Sequence, residues 1–113
     1  MDADERGFRV ALVAGELVNP KDGELDALAV LEEAGWGAMQ LPAADYPDEV
    51  AAPLLEHVGE QAEEFSRNGY TLAIVRGRAG LDEALARFGV PAPPAADPAT
   101  ADELRAFLAG VGA

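Results

Sequence analysis

Two runs of the chain stay apolar at consecutive positions: Arg9 to Gly15 (RVALVAG) and Thr71 to Gly77 (TLAIVRG). A strand wet on one face is polar at every second residue, so an unbroken run predicts a strand covered on both faces, as in a parallel sheet between helix layers. The first strand is placed over Phe8 to Gly15 and the later one over Tyr70 to Arg76, with Val10, Leu12, Val13, Leu72, Ile74 and Val75 as core. From Glu24 the period becomes helical: Leu25, Leu28, Ala29 and Leu31 form an apolar side, Glu32 and Glu33 a wet one, and Gly35 suits a left-handed C-terminal cap. Trp36 to Leu41, ended by Pro42, reads as a half-exposed edge strand with Met39 and Leu41 on one face and Ala38 and Gln40 on the other.

A long helical pattern follows the Pro42 to Pro47 loop, with Leu55, Val58, Ala62 and Phe65 at spacings of three and four. Pro53 predicts either a short turn over Asp48 to Ala52 ahead of the main helix or one helix kinked there, and Arg67-Asn68-Gly69 ends it. Leu81 to Phe88 makes a short helix closed by Gly89. The segment from Val90 to Pro98 (VPAPPAADP) is too rich in proline for a central strand, although Val90 to Pro94 has room for a very short edge strand. Thr100 and Glu103 have the spacing of a capping box, and Leu104, Phe107 and Leu108 give the last helix an apolar stripe.

Strand and helix therefore alternate, and right-handed crossovers arrange them as an α/β fold. The expectation is a small three-layer parallel sheet of three or four strands, order 2-1-3(-4), with four to five helices on both faces, in a Rossmann-like or flavodoxin-like layout. The 113 residues fit one domain, divided into an acidic lead-in (1–7), the α/β body, a Pro/Ala-rich connector (90–99) and a C-terminal helix (100–109).

Charge and composition narrow the partners. With 21 acidic and 8 basic side chains the formal net charge is −13, which opposes approach to nucleic acid or an anionic membrane and leaves a protein partner, self-association or a small anion. The chain has no cysteine, which removes disulfides, thiolate catalysis and thiolate metal sites. Its first six residues are acidic where a secretory signal is basic, and no apolar run approaches the roughly 18 residues that span a bilayer, so a cytoplasmic protein is expected.

Open α/β sheets place ligands beyond the carboxyl ends of the central strands, here at Gly15-Glu16 and Arg76-Gly77-Arg78. The loop RGRAG (Arg76 to Gly80) carries two of the eight basic residues just before a helix, and Lys21, with Gly15, Glu16 and Asn19, lies on the loop after the first strand. Gly15, Glu16, Asn19, Lys21, Arg76, Gly77, Arg78 and Gly80 are thus the candidate ligand-binding residues for a phosphate or carboxylate, against a plainer reading of the arginines as surface ion pairs. The spacing matches neither the Walker loop nor the dinucleotide fingerprint. The element order is similar to that of response-regulator receivers, but where those need paired acidic residues and an aspartate, this chain has Gly15-Glu16 and Arg76, so family membership does not follow.

His57, the single histidine, stands beside Glu56 and near Glu60, too few ligands for a transition metal, and the single serine, Ser66, lies near a helix end rather than in a nucleophile elbow. Trp36 and Tyr46 flank the second strand as candidate interaction residues, Trp36 reading first as plain packing and Tyr46 with Pro42 as a contact patch. Neither a catalytic constellation nor a cofactor is implied. A non-enzymatic accessory or protein-interaction domain ranks first, a small-anion binding domain second, and an enzyme using Glu16 or Asp22 as general base third.

Overall fold

The computed structural model describes residues 8–18 and 25–112. The two apolar runs form the centre of the sheet: β1 (Arg9–Val13) and β3 (Thr71–Val75) pair in parallel from Arg9 opposite Thr71 to Val13 opposite Val75. On the other side of β1 lies β2 (Gly37–Gln40), also parallel, with Val10 opposite Gly37 and Val13 opposite Gln40. The fourth strand, β4 (Ala95–Ala96), is two residues long and pairs with Ile74 and Val75, giving the order β2-β1-β3-β4.

Helices α1 (Ala27–Glu33), α2 (Asp48–Arg67), α3 (Leu81–Arg87) and α4 (Ala101–Gly112) cover both faces. Because side chains alternate along a strand, β1 and β3 feed two separate cores. Val10, Leu12, Leu72 and Ile74 meet Leu55, Val58 and Ala62 of α2 and Leu81 and Leu85 of α3. Ala11, Val13, Ala73 and Val75 meet Val30 and Leu31 of α1, Leu104 and Leu108 of α4, and Trp36. The expected α/β layout with doubly covered central strands is what the structure has.

The boundaries follow local chemistry. The first helix starts at Ala27 because Asp26 caps it, its carboxylate accepting from the Ala29 amide at 3.2 Å; the expected start at Glu24 lies outside the described residues. Gly35, Gly69 and Gly89 all have positive φ at helix ends, as their positions imply. Pro53 lies inside one continuous helix, with Pro47 ahead of its first residue. The fourth strand forms at Ala95–Ala96 rather than within Val90 to Pro94. Val90 is buried against the α2–α3 core, and only from the Pro94 carbonyl onward does the chain meet β3, accepting from the Ile74 amide at 2.8 Å.

The capping box forms as expected: the Glu103 amide donates to Thr100 Oγ1 at 3.1 Å and the Thr100 amide to Glu103 Oε1 at 3.3 Å. Arg105 then links α4 to α1, donating through Nε to Glu33 and through Nη1 to Asp102, both at 2.9 Å. The hydrogen bond and charge of Glu33, with smaller contributions from Asp102, raise this guanidinium's pKa above its ordinary value against a small opposing effect of burial. At the amino ends of β1 and β3, Phe8 stacks on Tyr70, whose ring also tilts against Phe65, with centroids 4.9 and 4.7 Å apart.

Truncating Leu12 or Ile74, one on each central strand, to alanine should cost about 2 to 5 kcal/mol in urea denaturation, because neither cavity can be filled from solvent. Thr100→Ala should cost about 1 kcal/mol by the same measurement, since it leaves the Glu103 amide without its acceptor.

Candidate functional site

The carboxyl ends of β1 and β3 hold three converging chain segments. The β1 exit forms a short 3-10 turn, Gly15–Leu17, with Leu17 buried beneath it. The β2 exit, Leu41 to Ala44, crosses directly over Gly15. The Leu41 amide donates to the Val13 carbonyl at 2.7 Å, and a Cβ on Gly15 would stand 2.8 Å from the Leu41 oxygen and 3.0 Å from the Ala43 nitrogen. Only glycine lets two backbones approach this closely. The Ala43–Ala44 peptide is then gripped from both sides: Arg78 Nη1 donates to the Ala43 carbonyl at 2.8 Å, and the Ala44 amide donates to Glu16 Oε1 at 3.4 Å.

Of the residues expected at this crevice, Gly15, Glu16 and Arg78 are brought together, and what they hold is the protein's own β2 exit. The Arg78 side chain is 7% exposed, with Asp48 at 3.6 Å. By position it is an internal clamp on the β2 exit. Arg76 is turned aside. Its backbone has φ 53°, in the left-handed region that non-glycine residues seldom occupy. That turn lets its amide donate to the Ala96 carbonyl at 2.8 Å while Nε reaches Asp97 at 2.9 Å and Nη2 the Pro98 carbonyl at 3.1 Å. Gly77 is exposed, and Gly80, with φ 92°, stands at the start of α3. Asn19, Lys21 and Asp22 lie outside the described residues.

Next to the Arg76–Gly80 loop is a cleft of about 280 Å³, lined by Arg78 and Gly80 but also by Asp48 and Glu83. Its charge is therefore negative on balance, and the guanidinium that lines it already has its acceptors.

A different concavity has no such occupant. Between β2 and α2 runs a groove of about 400 Å³, mainly apolar, formed by Met39, Leu41, Pro42, Tyr46, Leu54, Val58 and the polar Gln40, His57 and Gln61. Tyr46 and Leu54 of its lining belong to an exposed row on and just ahead of α2: Tyr46, Val50 and Leu54 are 43, 47 and 42% exposed and recur every four residues. The groove's floor is the sheet edge. Since the Leu41 amide faces β1, alternation turns the N–H and C=O groups of Ala38 and Gln40 outward, where no strand among the described residues lies beside β2.

Tyr46, singled out in the sequence with Pro42, belongs to this groove, whereas Trp36, its expected companion, is 6% exposed and packs under α1. Met39, Val50, Leu54, His57 and Gln61 were not anticipated as a group. The available signal was a second apolar row on α2, offset from the Leu55, Val58, Ala62 series by one residue and too wide for a single buried stripe. His57 is exposed, Ser66 is half-buried near the end of α2, and among the described residues no three His, Asp or Glu side chains are placed to hold a metal ion. No helix among them is long and apolar enough to cross a membrane.

No protein-family model, curated protein or solved structure matches the chain, so the reading of this site rests on its geometry.

Removing the clamp should loosen the three-loop junction. Arg78→Ala is expected to cost about 1.5 to 3 kcal/mol, the worth of a charge-assisted hydrogen bond to a partly buried carbonyl. Arg87→Ala, which breaks only an exposed 3.4 Å pair with Glu56, should stay within about 0.5 kcal/mol. Chemical denaturation of the pair checks this. Gly15→Ala should cost about 1 to 3 kcal/mol through backbone displacement, seen as shifted amide resonances at Leu41 and Ala43.

Proposed function

We propose that this protein is a non-enzymatic protein-interaction domain whose contact face is the groove between β2 and α2. The observation that carries the reading is the coincidence of an open apolar groove, an exposed apolar row and an unpaired sheet edge on one side of the molecule. Any one of these is common on a protein surface; together they form the features of a protein contact. The competing small-anion reading requires Arg78 to release Ala43 and an anion to settle beside Asp48 and Glu83. The enzymatic reading through Glu16 requires a carboxylate that here accepts the Ala44 amide.

The test is site-specific photo-cross-linking in the cells that make the protein. A benzoylphenylalanine probe replaces Tyr46 in one version and Ala86, on the exposed side of α3, in the other. Discrete adducts from position 46, identified by mass spectrometry and missing from position 86, are the expected result. A product of twice the chain's mass would mean that the partner is a second copy. No adducts from position 46, or the same adducts from both positions, would overturn the proposal.

A further inference from the structure

Resting on that reading of the β2 face, we propose that the groove receives an extended peptide segment, apolar at alternate residues and bearing lysine or arginine near its ends, which joins the sheet beside β2. The hydrogen-bonding groups of Ala38 and Gln40 supply the main-chain template for strand addition. Met39 and Leu41 belong to the face of the sheet that meets α2. Every second side chain of an added strand would therefore fall on that face, between Met39 below and Leu54, His57 and Gln61 above, where the open volume lies. Strand geometry and pocket shape thus call for the same alternating pattern in the partner.

Charge selects its ends. Around α2, the row beyond the groove wall holds Glu49, Glu60 and Glu64, none of which has an arginine partner among the described residues. Arg67, at the end of that row, pairs with Glu63. The other described arginines are held elsewhere: Arg76 by Asp97, Arg78 by Asp48, Arg87 by Glu56 and Arg105 by Glu33 and Asp102. Arg9 opens β1 in the register of Ala11 and Val13, which face α1 and α4. An apolar slot under a carboxylate row that no described arginine compensates favours a cationic strand and repels an acidic one. A second copy of this chain, at net charge −13 and with the same row of carboxylates, is a poor occupant.

The experiment titrates two synthetic seven-residue peptides into the isotope-labelled full chain at low ionic strength. Both alternate valine and threonine; one has lysine at each end, the other glutamate. The lysine-ended peptide is expected to shift the backbone amide resonances of Ala38 and Gln40 and to bind roughly fivefold or more tightly than the other, the gap closing as salt is added. Leu54→Lys, at an exposed position, should weaken that peptide roughly tenfold, while Glu83→Lys on α3 should leave it unchanged. Equal binding of both peptides overturns the charge selection, and binding that leaves Ala38 and Gln40 unmoved overturns strand addition. If neither peptide binds while position 46 still cross-links to a protein, this inference fails and the interaction face stands; if both experiments are negative, both fail.

Discussion

The parallel pairing of β1 with β3 is the constraint on which everything else is built. Five residues of each strand lie side by side, and with both faces covered each contributes alternately to two cores that do not mix. A slip of one residue would exchange the two sets, sending Leu12 and Ile74 toward α1 and Val13 and Val75 toward α2. The sets differ in size. The set facing α1 and α4 includes small Ala11 and Ala73, while Val10, Leu12, Leu72 and Ile74 meet the longer α2 on the other side. Register, helix placement and the exit points of the strands are therefore one decision.

The ligand crevice of this fold class normally opens at those exits. Here β2 ends by folding back over Gly15, and Arg78 fastens it there. The residue types that suggest anion binding, glycines with two arginines near a helix start, are equally the types that let backbones approach and that bridge carbonyls across loops. Arg76 shows the same double meaning: its left-handed turn and bonds to Asp97 and Pro98 anchor the connector to α4. Sequence spacing does not distinguish the two uses, because the acceptor for Arg78 lies 35 positions away on a segment of little distinctive pattern.

What was legible in the sequence was what depends on near neighbours. The unbroken apolar runs identified β1 and β3, the Thr100–Glu103 spacing marked the start of α4, and the alternation of Met39 and Leu41 with Ala38 and Gln40 oriented β2. What escaped depends on distant packing. The position of β4 turns on where a proline-rich segment first reaches β3, and the groove turns on which of α2's two apolar rows faces the sheet. Leu54 and Leu55 are adjacent and identical in chemistry, yet one is 42% exposed and the other 6%.

The two ends of the sheet are unlike, and this has a consequence for assembly. Beside β4, Pro93 and Pro94 supply no N–H groups, the strand lasts two residues, and Arg76 ties down the chain beyond it at Asp97 and Pro98. Among the described residues β2 offers the longer template. On the proposed strand addition, a guest at β2 would find no comparable strand to match it beside β4, so one guest per sheet is the expected limit. On that proposal, proline placement would limit stoichiometry and deny filament growth by edge-to-edge stacking its second docking end.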